Sequence, residues 1–322
     1  MRPRYSITPC NPRVWSAPEL GDKIHIRRGW PPELDDALAK SGICRFELTD
    51  CDSDVLERLS VYPVRDLSVD GTLNRIDYSA LMDMPELERL HLGKVRSLDM
   101  LDLSRLPKLT YLECRVTRLD GLAAAQSLLA LSICCRIKSF EAMPSLPSLR
   151  TLSMDSPGLS SLSGIQKFDG LTALHLVVGG YTDLLGLDEV PRLERLSLCR
   201  MKHLATLEGI GGAPALRGLW IEDCRKLDDL FPIADLPQLE DLRLEELGRV
   251  KSASFLLPLK KLRYFSMDGI HVGTVAEDAT GLEALTRLEN LVFADLTHAD
   301  HYPIEKLQPL IGLRQWPPVW KF

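Results

Sequence analysis

Residues 191–200 read PRLERLSLCR, and the apolar positions Leu193, Leu196 and Leu198 inside them have the spacing L-x-x-L-x-L. Alternation at Leu196 and Leu198 makes a short strand with one buried face. The proline ahead of it lacks an amide hydrogen and belongs at a junction, not inside a hydrogen-bonded ladder. The pattern returns along the chain. Twelve copies begin at Ile43, Val64, Leu87, Leu109, Leu128, Leu149, Leu171, Leu193, Leu216, Leu239, Leu262 and Leu288, in steps of 19 to 26 residues. Pro85, Pro107, Pro147, Pro191, Pro214, Pro237 and Pro258 mark the junctions ahead of seven of them. A fixed period points to stacked units of one strand and one return segment, and no unit can bury its leucines alone. Returns such as Leu204-x-x-Leu207-x-x-Ile210 have apolar residues three apart, which suits 3₁₀ or short helical turns facing inward. Burying each leucine contributes roughly 1.5–3 kcal/mol, so the repeated leucines are accounted for as core.

This motif at a period of about 22 residues resembles the leucine-rich repeat family. The resemblance runs from about residue 20 to about residue 312. It implies an α/β repeat fold, a leucine-rich repeat solenoid. Such a solenoid is a curved horseshoe with a parallel sheet on the concave side and 3₁₀ or short helices on the convex side. It also implies that the concave surface binds other proteins. One departure stands out. Many family members carry Asn three residues after the last motif leucine, where its amide bonds the backbone between repeats. Here those positions hold Cys51, Thr72, Val95, Thr117, Arg136, Pro157, Gly179, Met201, Cys224, Leu247, Ile270 and Leu296. Cys51 and Cys224 match a cysteine-type variant. Apolar side chains cannot satisfy backbone groups, so local turns or water must do so, and uneven curvature is expected.

The sequence predicts an N-terminal tail and cap over residues 1–42, about twelve repeats over 43–296, and a C-terminal cap with an aromatic tail over 297–322. Ile24 and Ile26 suit an irregular first strand. PELDDALAK (32–40) reads as a short helix stopped at Ser41-Gly42. Residues 53–60 read as another, with Ser53 as N-cap and Val55, Leu56 and Leu59 inward. The last strand is expected at 288–293 and a terminal helix at 303–312, and Trp316 and Trp320 are read as cap residues.

With 45% hydrophobic and 26% charged residues the chain has a soluble composition. A net charge of −6 makes nucleic acid a poor partner. No apolar run approaches the roughly 18 residues of a membrane span. The opening MRPRYSITPCNPRVWS has no apolar run of a secretory signal. The repeat places Cys134 and Cys199 in one column three strands apart, roughly 14 Å at about 4.8 Å per strand, twice the reach of a disulfide. Adjacent Cys134 and Cys135 point to opposite faces. Reduced cysteines in a cytoplasmic protein are therefore expected. No phosphate loop, nucleophile elbow, H-E-x-x-H or C-x-x-C is present, and the glycines at 209–212 sit in a return turn. His298, Asp300 and His301 have no second ligand cluster near them in sequence. No enzyme activity, cofactor or metal is expected.

The outward strand positions carry the functional signal. In the N-terminal half they are mixed: Arg45, Glu47, Asp66, Asp70, Arg89, His91, Lys94, Tyr111, Glu113 and Arg115. The middle is small or apolar: Ala130, Ser132, Thr151, Ser153, Ala173 and Val177. The C-terminal half holds Trp220, Glu222, Asp223, Asp241, Arg243, Glu245, Glu246, Tyr264, Asp268, Asn290 and Asp295. Glu222, Glu245 and Asp268 fall in one column. Like charges about 5 Å apart repel by about 1 kcal/mol even in water, so folding alone would not select that column, whereas a basic partner would. A tryptophan and a tyrosine beside it suit an aromatic anchor ringed by charge. The sequence thus predicts a protein–protein interaction module that takes a basic protein on its concave face. It would act as an inhibitor or immunity protein that occludes a toxin or enzyme. The alternative is an enzyme-regulating or structural scaffold acting through loops or terminal caps. Partner identity and oligomeric state stay open.

Overall fold

The computed structural model describes residues 5–8, 22–70, 76–248, 250, 252–268, 282–296, 304–310 and 313. The chain divides into two compact units. The first runs to Cys135 and includes Pro144–Leu149; the second takes Arg136–Met143 and continues from Arg150.

In the first unit β1 (Tyr5–Thr8) lies antiparallel to β2 (Lys23–Arg27). From β2 onward, β3 (Arg45–Thr49), β4 (Asp66–Asp70), β5 (Arg89–Val95), β6 (Tyr111–Val116) and β7 (Ala130–Cys134) follow in parallel and in chain order. The returns between them begin as helices α1 (Leu34–Ser41) and α2 (Ser53–Leu59), then tighten to 3₁₀ turns at Ser79–Asp83, Leu103–Arg105 and Leu122–Ala124. Helix α1 stops at Gly42, whose left-handed φ of 62° suits glycine. In α2 the buried residues are Val55, Leu56 and Leu59, but the N-cap place falls on Asp52. Ser53 Oγ instead accepts the amide of Asp77 at 2.9 Å, which ties one return to the next.

In the second unit the strands are β8 (Thr151–Asp155), β9 (Ala173–Val177), β10 (Arg195–Cys199), β11 (Gly218–Glu222), β12 (Asp241–Glu245), β13 (Tyr264–Asp268) and β14 (Phe293–Asp295), parallel and in chain order. Their returns are 3₁₀ turns. Leu196 and Leu198 are the second and fourth residues of β10 and are fully buried, as are Leu204, Leu207 and Ile210 of the return that follows. Phe140 and Phe168 meet edge-on at 6.0 Å between centroids inside this core.

The last repeat differs from the sequence expectation. Strand β14 pairs Tyr264 with Phe293 and Phe265 with Ala294. The amides of Val292 and Phe293 bond the Arg263 carbonyl, as those of Arg263 and Tyr264 bond the Glu240 carbonyl one repeat earlier. Leu291, not Leu288, therefore opens the repeat, three residues later than expected. The cause is a run of leucines three apart, Leu282, Leu285, Leu288 and Leu291, in which return and motif share one spacing and no proline marks the junction. Asn290 consequently sits in the turn, where its side-chain amide donates to the Lys260 carbonyl at 2.7 Å, and not on the strand face.

Backbone groups between repeats are satisfied without asparagine. The residue after several strands is left-handed: Arg28 and Asp50 in the first unit, and Val178, Arg200, Asp223 and Glu246 in the second. This turn aims each amide at the next repeat. Arg200, Asp223 and Glu246 donate to the carbonyls of Glu222, Glu245 and Asp268 at 2.8, 3.0 and 2.9 Å. Side chains add to it. Cys51 Sγ donates to the Ile26 carbonyl at 3.4 Å, Cys224 Sγ to the Leu198 carbonyl at 3.8 Å, and Thr117 Oγ1 to the Arg96 carbonyl at 2.8 Å. Buried Ser156 accepts the Ile137 amide at 3.2 Å. The seven described cysteines carry free thiols. Cys10, Thr72, Ile270, the stretch 298–301, Pro303, Gly312 and the tail 314–322 lie outside the described residues.

Candidate protein-binding face

Alternate residues of β11, β12 and β13 point away from the leucine core. Pairing places Glu222 beside Glu245 and Glu245 beside Asp268. The expected acidic column is therefore present, and all three carboxylates are half-buried. Burial, then Glu222, then Asp268 push the Glu245 carboxyl above the usual range, while Arg243 and the Trp220 indole N–H pull the other way. The column continues to Cys199 on β10, which pairs with Glu222 and whose thiol is pushed up by burial and by that carboxylate. Its place in the column follows from the strand register and not from residue type.

The strand ends add charge. Asp223 and Glu246 follow β11 and β12 in left-handed conformation. Arg225 reaches both, with Nε 2.9 Å from Asp223 and Nη2 3.8 Å from Glu246. Arg225 is well exposed, so this bridge is weak.

Two expected contact residues are closed instead. Asp241 opens β12 and is only 6% exposed. Arg243 grips it with two bonds, 3.0 and 2.7 Å long. Residues two apart on a strand share a face, and the guanidinium fork matches a carboxylate. Arg243 is therefore held by Asp241 and offsets the acidic column only in part, since the Glu245 carboxyl stays raised. Trp220 lies half-buried in a second column, between Ser197 and Arg243, and Asp295 joins that column through Ser266. Ser197 is buried although it lies on the outward side. Tyr264 starts β13, with the Arg263 guanidinium 5.4 Å from its ring centroid. At roughly 13 Å from Asp268, four strand residues away, it is not beside the acids. The structure thus gathers Glu222, Glu245, Asp268, Asp223, Glu246 and Trp220, places Asp295 diagonally across from Asp268, and sets Tyr264 apart.

The raised Glu245 carboxyl has a stability consequence. A carboxyl that holds its proton more tightly when folded opposes folding once ionised, so its contribution is lost as pH rises above the ordinary glutamate range. Glu245→Gln is expected to raise the neutral-pH stability by about 0.5–1 kcal/mol, as removal of a like-charge neighbour does, and to flatten the decline as pH rises from the ordinary glutamate range to neutral. Thermal melts of both proteins across that range check it; a variant less stable at neutral pH sinks the reading.

Among the described residues no helix is long and apolar enough to cross a membrane, and no group of three or more His, Cys, Asp or Glu could hold a metal ion. No family model matches the sequence, and no curated protein does. Solved structures do. An internalin from Listeria monocytogenes is 18% identical over 92% of this chain and 87% of its own, with a TM-score of 0.62. TLR13, solved as a complex with ssRNA13, is 22% identical over 79% of this chain with a TM-score of 0.61, and this chain spans 39% of its length. A leucine-rich repeat protein of Leptospira interrogans is 15% identical over 88% of this chain and 86% of its own, with a TM-score of 0.52. At these identities the likeness is one of fold.

Proposed function

The chain has the leucine-rich repeat fold, and on that premise we propose that it is a non-enzymatic binding module whose β11–β13 face takes a basic surface of another protein. The observation that carries the reading is the Glu222–Glu245–Asp268 column, kept on adjacent strands at a cost to folding while the nearest arginine on the face is held by Asp241. Half-buried Trp220 supplies an aromatic anchor at its edge. A cationic partner offsets the repulsion and is steered to the face by charge. The reading extends to an inhibitor, of immunity-protein type, that occludes a basic toxin or enzyme. It also places the protein in a reducing cytoplasm. In support, Cys114 and Cys224 serve as core and ladder groups, with thiols pushed up to about 12 chiefly by burial.

The test is retention of partners from native lysate at low and high salt, with E245K/E246K alongside. A basic protein is expected to bind at low salt and to weaken at least about tenfold in the variant, a loss of about 1.4 kcal/mol. A partner indifferent to both salt and the substitutions removes the acidic column as the site.

A further inference from the structure

We propose that the first unit carries a second docking face, opposite in sign, that takes an acidic extended segment of a protein partner along β5–β7. It is independent of the acidic column. Three cations lie on this face. Arg89 pairs with Tyr111 across β5 and β6, and its guanidinium carbon sits 4.1 Å from the tyrosine ring centroid. Its Nε is buried without a hydrogen-bond acceptor. Stacking holds the guanidinium in place against the ring. Lys94 and Arg115 are both exposed and stand directly opposite each other. Like charges so placed destabilise a sheet.

That opposition is built by an irregularity. The β5–β6 register shifts between Leu92 and Lys94, so Gly93 is bulged out and Lys94 takes the place beside Arg115. Bulges of this kind re-aim side chains. Two of the acids nearby already have partners. Glu113 accepts from Tyr111 at 3.0 Å and lies 3.1 Å from His91 Nδ1, a contact that, helped by Tyr111 and Arg89 and against the effect of burial, sets its carboxyl below the usual range. Asp66 is held by Arg45 at 3.2 Å. On the outward side of β5–β7 the three cations then face one carboxylate, Glu113, which leaves a surplus of positive charge there, while Asp70 of β4 lies beside the Gly93 bulge.

The next strand, β7, presents only Ala130, Ser132 and Cys134 outward, a low floor beside the raised rim of β6. Arg89 opens β5, level with Tyr111 at the start of β6, and Arg115 is the fifth residue of β6, roughly 13 Å further along the strand direction. Carboxylates at positions i and i+4 of an extended chain have the same separation. The net charge of −6 disfavours long polyanions such as nucleic acid more than a short acidic peptide.

The test is anisotropy of a labelled oligoglutamate peptide with the full chain. The peptide is expected to bind at low salt and to weaken at least about tenfold in K94E/R115E. K202E/K226E makes the same change in net charge away from this face and is expected to leave binding within about twofold. The single variant K94E turns the repulsive pair into an attractive one, so it keeps the fold while still weakening the peptide. Absence of peptide binding overturns the proposal, as does an equal loss in both double variants. Tripolyphosphate that binds more tightly than the peptide and is lost in K94E/R115E also overturns it, since the occupant would then be a phosphate.

Discussion

Asp66→Ala is expected to lower the unfolding free energy by about 3–5 kcal/mol, because it leaves a buried guanidinium without its counter-ion. Arg45 and Asp66 are 4% and 5% exposed at the side chain and meet at 3.2 Å. They pair across β3 and β4 on the side of the sheet that faces away from the leucines. Their burial is made by neighbours on the same face: His91 Nε2 lies 3.6 Å from the Asp66 carboxylate. Taking away one partner strands the other, whereas taking away both does not. The double change Arg45→Met with Asp66→Leu is expected to recover most of the loss, since well-packed apolar pairs often match a buried ion pair. Urea denaturation of the three proteins decides it. A single variant that loses less than about 1 kcal/mol would mean that water reaches Arg45 and that the pair is a surface one.

Gly209→Ala is expected to cost about 2–6 kcal/mol, with strain of about 1–3 kcal/mol from the backbone and a packing term of about 1–3 kcal/mol. Gly209 precedes a 3₁₀ turn with φ of 94°, and an added Cβ would collide with the Leu184 carbonyl of the preceding repeat. Backbone cannot swing away as a side chain does. Gly211, two residues on, is the control. A Cβ there meets only Asp235 Cβ at 3.6 Å, an ordinary contact. Gly211→Ala is expected to be neutral or to stabilise by a few tenths of a kcal/mol by restricting the unfolded chain. Equal melting temperatures for the two variants would refute the contact-based account.

Much of this molecule is legible in the order of its residues, because the core is periodic. The L-x-x-L-x-L spacing places eleven strands in register, and the acidic column follows from that register alone. The frame fails where the return and the motif share one spacing, at Leu282–Leu291. A periodic signal carries no phase there without a proline to set it. What the sequence conceals is side-chain partnership. Asp241 and Asp268 occupy outward positions alike, yet Asp241 is folded under Arg243 because the fork reaches two residues back. The bulge at Gly93 is likewise silent, since a glycine after Leu92 reads as an ordinary outward position. The missing asparagines pointed to local turns, and the turns are there. The left-handed residues that make them are Val, Arg, Asp and Glu, which composition does not single out.

The backbone ladder through Arg200, Asp223 and Glu246 separates two kinds of information in the chain. Amides and carbonyls, which every residue type supplies, close the junctions, and inward leucines hold the stack. Apart from buried pairs such as Arg45–Asp66, the outward side chains are left with little part in either task. Each repeat is then a line of text that can be rewritten on its outer face while the binding of the pages stays intact. The vocabulary of such a surface can change one strand at a time, and a module of this construction can acquire a new partner without first having to learn a new fold.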